Sequence, residues 1–169
     1  MRTSHLPALL PLFATVSACV VPVGPEWTDP QRNYPATLRA AIPPVGSILT
    51  PAPDAGGPLT VTVWLGDQNT HDILRARWII DYPPFVDGVS HLAWQDIQPG
   101  GNQVDRPPLT FAPNCSDDHI AVGFKNHRLL FVASDGPFAS DDPSQATPDL
   151  VQDGNSRVEA TWQFELDCP

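Results

Sequence analysis

Proline governs what this chain can fold into. The 169 residues hold 21 prolines. Each removes a backbone donor and fixes φ, so a helix has few places to run. In the first third they recur at positions 22, 25, 30, 35, 43, 44, 51, 53 and 58. Lys125 is the one lysine, which argues further against long exposed helices built on Ala, Glu, Lys and Leu. What remains is short apolar runs between Pro, Gly and Asp turns, the pattern of strands and loops.

The runs can be placed by their period. Leu59–Leu65 alternates, with Leu59, Val61, Val63 and Leu65 on one face and Thr60, Thr62 and Trp64 on the other. Leu74–Tyr82 sets Leu74, Ala76, Trp78, Ile80 and Tyr82 against Arg75, Arg77, Ile79 and Asp81. Val89–Ile97 is a weaker strand, and "PLTFAP" is a short one. His127–Ser134 is almost continuously apolar, which predicts a strand at the centre of a sheet. In the last run Val158, Ala160, Trp162, Phe164 and Leu166 face inward, and Glu159, Thr161, Gln163 and Glu165 face outward. Ile42–Thr50 reads as a first edge strand, and "CSDDHIAVGFKNH" as a short helical turn capped by Ser116 or Asp117. About seven strands result. With Trp78 facing inward on a central strand and two long final strands, this resembles an immunoglobulin-like or fibronectin type III-like antiparallel β-sandwich over Ile42–Cys168. The cysteines depart from the immunoglobulin framework, because Cys115 lies in a loop and Cys168 is next to last.

The chain opens with Arg2, an apolar run from Leu6 to Val16, and small residues before Cys19. That is the layout of a secretory signal peptide. The run is too short to span a bilayer, which takes about 20 residues. Val16-Ser17-Ala18-Cys19 resembles a bacterial lipobox. The resemblance implies a diacylglycerol on the Cys19 sulfur, cleavage between Ala18 and Cys19, and acylation of the freed amino group. The other reading is a general signal peptide with Cys19 left as a free or bridged thiol. Three cysteines leave one over in an exported protein. With lipid on Cys19, Cys115 and Cys168 remain as a disulfide pair in an oxidising compartment.

The expected organisation is a signal peptide over residues 1–18, a proline-rich tether over 19–41 and a β-domain over 42–169. As extended chain at about 3.1 Å per residue, Val20–Arg39 reaches roughly 60 Å. Trp27 and Tyr34 are unusual in a solvated linker and leave open a partial docking of this arm on the domain. The net charge of −10 disfavours nucleic acid and anionic lipid surfaces alike. Membrane contact is therefore expected through the lipid on Cys19 alone.

Signatures of catalysis are missing: no Gly-x-Ser-x-Gly, no His-Glu-x-x-His and no phosphate-binding glycine loop occurs. Asp117-Asp118-His119 is weak as a metal cluster, and His71, His91 and His127 are scattered. Asp141, Asp142, Asp149 and Asp153 lack EF-hand spacing and read as a solvated, mobile loop, as does "DQNTHD". Trp64 and Trp94 are candidates for a protein or glycan surface. No catalytic, cofactor or metal site is expected. The expectation is a non-enzymatic structural or protein-interaction module, lipid-anchored in a Gram-negative envelope, with an envelope protein as a possible partner. Val20 stands where the resemblance would want Asp for inner-membrane retention, so the outer membrane is favoured. The alternative is a module that binds glycan or Ca²⁺ with its end loops.

Overall fold

The computed structural model describes residues 33–50, 59–82, 93–113, 125–142 and 149–166. All belong to one unit, Asn33–Pro169. Its strands are β1 (Thr37–Ile42), β2 (Ile48–Leu49), β3 (Val61–Gly66), β4 (Leu74–Ile80), β5 (Ala93–Gln98), β6 (Leu109–Phe111), β7 (Asn126–Ser134) and β8 (Arg157–Glu165). Among the described residues there is no helix. One sheet has the order β1-β3-β6, the other β2-β8-β7-β4-β5. The pairs are antiparallel except β2 with β8.

The alternating patterns supply a core shared by both sheets. Val61, Val63 and Leu65 of β3 meet Leu74, Ala76, Trp78 and Ile80 of β4, Leu129 and Phe131 of β7, and Trp162 and Phe164 of β8. Trp78 is the centre. It stacks on Phe111 of the facing sheet, with centroids 5.4 Å apart, and tilts against Phe131 at 4.5 Å and Trp162 at 6.4 Å. Such pairs add to area burial, and each fully buried large apolar side chain contributes about 1.5–3 kcal/mol. Both indole N–H groups find acceptors: Trp78 donates to Asp96 Oδ2 at 2.8 Å, and Trp162 to the Pro43 carbonyl at 3.0 Å. β7 lies between β4 and β8, the central position its apolar run predicts.

The N-terminal side differs from the sequence reading. β1 lies almost wholly within the stretch assigned to the tether, in the unit Asn33–Pro169 that carries all the described strands. The expected edge strand over Ile42–Thr50 is instead the end of β1, a turn, and the two residues of β2 running parallel to β8. Proline spacing forbids a helix but not an edge strand, where a missing donor faces outward. Gly46, at φ +82°, makes the reversal and donates its N–H to the Thr161 carbonyl at 2.8 Å. The helical turn expected over 115–127 falls largely on residues outside those described. Its described end, Asn126 and His127, begins β7.

The outer face of the five-stranded sheet also departs from expectation. Alternation assigns Arg77 and Ile79 to solvent, yet both are fully buried. A second apolar layer of Ile79, Tyr82, Leu130, Val132 and Phe138, with Val151 against it, covers them. The covering strap is held to itself by a bridge between Phe138 and Val151 and by Ala139 N–H to the Leu150 carbonyl at 2.8 Å.

Candidate functional site

The outer face of the three-stranded sheet carries an open groove of about 710 Å³. Its lining includes Arg39, Ala40, Ile42, Trp64, Val104 and Asp105. Strand alternation brings Trp64 here, since Val63 and Leu65 on either side of it are buried in the core. Ala40 lies opposite Trp64 and leaves the indole uncovered. Ile42 and Val104 stand beside it, with 63% and 38% of their surface exposed. Ile42, Trp64 and Val104 line one groove together, and contiguous exposed apolar surface of this kind marks interaction sites.

Arg39 is aimed by three local features. The register between β1 and β3 shifts between Leu38 and Ala40, so Arg39 is the extra residue of a bulge. Gly66 gives its side chain room, because a Cβ there would collide with Arg39 Nε. Asp105 takes Nε in an ion pair at 3.4 Å. The pair is solvent-exposed and adds at most about 1 kcal/mol, so its interest is orientation. Asp105 and Val104 are themselves fixed on the backbone. Asp105 bridges Gly66, Asp67 N–H donates to the Val104 carbonyl at 2.8 Å, and Arg106 N–H to the Leu65 carbonyl at 2.9 Å. The segment before β6 thus extends the sheet past the end of β3. On the same face, the hydroxyls of Thr62 and Thr110 lie 3.2 Å apart.

The loop "DQNTHD" is held rather than loose. Asp67 is buried, and its Oδ1 accepts the Asn69 N–H at 2.8 Å. Buried Arg106 donates to the Asn69 and Asp72 carbonyls at 3.2 and 3.0 Å. Burial, with Asp72 and Asp135 adding repulsion, pushes the Asp67 carboxyl above the usual range, against the Asn69 amide and Arg106. His71 is exposed in this loop.

At its described end, the acidic stretch between the last two long strands makes side-chain contacts. Asp149 accepts from Arg157 at 2.8 Å, and Arg157 also pairs with Glu159. Tyr82 is buried and hydrogen-bonded to Asp149, and its hydroxyl is pushed up to about 12, burial being the largest cause. Asp141 and Asp142 are exposed and help hold the charge on Arg77, which burial opposes. Among the described residues no three His, Cys, Asp or Glu side chains are grouped to hold a metal. His127 is a packing residue: its ring stacks on Phe164 at 5.1 Å, and Nδ1 lies 2.8 Å from Asp81 Oδ2.

Cys19, Cys115 and Cys168 lie outside the described residues, as do Trp27, His91 and the Ser116–His119 stretch. Trp94 is opposite Trp78 in the β4–β5 register. Among the described residues no helix is long and apolar enough to cross a membrane. In comparisons with known proteins, no family model, no curated protein and no solved structure matches this chain. Of the groove, the sequence singles out Trp64 alone. Arg39, Gly66 and Asp105 come together through the bulge and the loop before β6, which no local pattern marks.

Proposed function

We propose that this chain is a lipid-anchored bacterial envelope protein, non-enzymatic, whose β-domain is an interaction module. Anchoring rests on Val16-Ser17-Ala18-Cys19 after a signal-like run, with lipid on Cys19, Cys115 bridged to Cys168, and the outer membrane as address. The interaction role rests on one observation: the Trp64 groove faces solvent on a sheet face that no described segment covers.

The domain is an immunoglobulin-like β-sandwich. Strand order supports this: β1, β3 and β6 correspond to strands A, B and E of that class, and β8, β7, β4 and β5 to G, F, C and C′. Trp78 on β4 then corresponds to the strand C tryptophan.

The test is fractionation of cells making the natural chain or a Cys19→Ser variant. The natural chain is expected in the outer-membrane fraction and the variant in the soluble one. A natural chain recovered as soluble protein would remove the anchor.

A further inference from the structure

We propose that the groove over Trp64 binds a neutral oligosaccharide. The inference rests on reading the domain as an interaction module and names what that module holds. It sets the ligand on the outer face of the three-stranded sheet, beside the segment that leads into β6.

The chemistry of the lining carries it. A pyranose ring has an apolar C–H face and a rim of hydroxyls. The indole of Trp64 is a broad polarisable surface for the first. The rim asks for donors and acceptors together, because every hydroxyl is both. Arg39 offers only donors and Asp105 only acceptors. Their ion pair, at 3.4 Å, sets both kinds side by side at the groove. The Thr62 and Thr110 hydroxyls add groups of dual character on the same sheet face. Ile42 and Val104 flank the indole.

Charge and size narrow the class. The chain carries −10, which repels acidic polymers and equally a second copy of itself. The Arg39–Asp105 pair has no net charge, so a neutral ligand meets it without paying for an uncompensated ion. An apolar peptide side chain seated here would strip water from Arg39 and Asp105 and return no hydrogen bonds. The volume of about 710 Å³ falls within the roughly 300–1,000 Å³ of small-ligand sites. The groove is open to solvent, so a ligand of more than one sugar unit is not shut out.

The test is titration of the full mature chain, extracted in mild detergent, with cellulose-type, chitin-type and starch-type oligosaccharides and with an acidic polyuronate. The readout is the indole N–H resonance of Trp64, assigned with Trp64→Phe. At least one neutral sugar should shift that resonance to saturation. Trp64→Ala and Asp105→Ala should each weaken binding about tenfold or more, with the unfolding midpoint held. Asp105 has 82% of its side chain exposed, so its variant folds even where the tryptophan variant suffers. The proposal is overturned if no neutral sugar binds at millimolar concentration, if binding survives both variants, or if only an acidic polysaccharide binds. A photocrosslinker at Ile42 that joins only protein in cells likewise overturns it and gives the groove to a protein partner. Fractionation of Cys19→Ser fails or succeeds independently of these results.

Discussion

The guanidinium carbon of Arg77 sits 4.1 Å from the centre of the Phe138 ring, and both side chains are shut away from solvent. Arg77 also donates to Gln95 Oε1 at 3.0 and 3.1 Å and to the Ser140 carbonyl at 2.5 Å. A buried cation needs such partners, and here β5 supplies Gln95 while the strap supplies Phe138 and the Ser140 carbonyl. The strap and the buried arginine therefore stand together. Phe138→Ala should destabilise the domain by about 3–5 kcal/mol in urea unfolding. A loss under about 1 kcal/mol would mean the strap is not part of the core.

Arg77→Lys should be costly as well. An ammonium cannot reproduce the planar fork that reaches Gln95 and Ser140 while lying over a ring. A loss of several kcal/mol is expected from leaving a buried charge poorly paired. Equal unfolding midpoints for Arg77→Lys and the natural chain would contradict the geometry.

Alkaline pH should destabilise the fold through Tyr82. Its hydroxyl is raised to about 12 in the folded domain, against 10.0 for the free group. The unfolded chain thus releases this proton first, and stability falls as pH rises from about 10 through about 12. Below pH 10 both states hold the proton and the contribution is complete. Tyr82→Phe should flatten the fall and remove the late step of the phenolate absorbance titration. A Tyr82→Phe chain with the same alkaline loss would assign that loss elsewhere.

Asp67 gives a prediction of the same sign at lower pH. Its folded carboxyl is raised by burial, so ionisation opposes folding as pH climbs through the raised value. Asp67→Asn keeps an oxygen for the Asn69 N–H and carries no charge. Its stability relative to the natural chain should improve from acid toward neutral pH in paired urea titrations. A difference that stays flat or moves the other way would rule this out.

How much of this was legible in the sequence follows from the range of the interactions. β3, β4, β7 and β8 are set by period-2 patterns within single segments, so Val63, Trp78, Phe131 and Trp162 can be assigned to the core by reading along the chain. β1 was hidden because Pro35, Pro43 and Pro44 bracket it, and an edge strand needs no donor on its outer side. Arg77 read as solvent-facing because its cover, Phe138, comes 61 positions later. Of the groove, Trp64 shows as an aromatic on a polar face. Arg39 joins it through a bulge and a bare Gly66, neither of which leaves a local pattern.

Gly66→Ala separates the groove from the fold. A methyl there forces the Arg39 side chain aside, but that chain is long and half-exposed. Stability should change by less than about 1 kcal/mol, while sugar binding in the groove weakens. A large stability loss with binding intact would mean Arg39 serves the fold instead.

The proposed Cys115–Cys168 bridge closes a loop of about 50 residues, worth roughly 4 kcal/mol by chain entropy. Reduction should lower the urea midpoint accordingly, and Cys115→Ser should reproduce the effect.

The most direct measurement is the intact mass of the chain purified from its membrane, beside Cys19→Ser. The predicted mass is that of the chain from Cys19 onward plus its acyl groups, less two hydrogens for Cys115–Cys168. A chain with Cys19 unlipidated would contradict the anchor and reopen the pairing of all three cysteines.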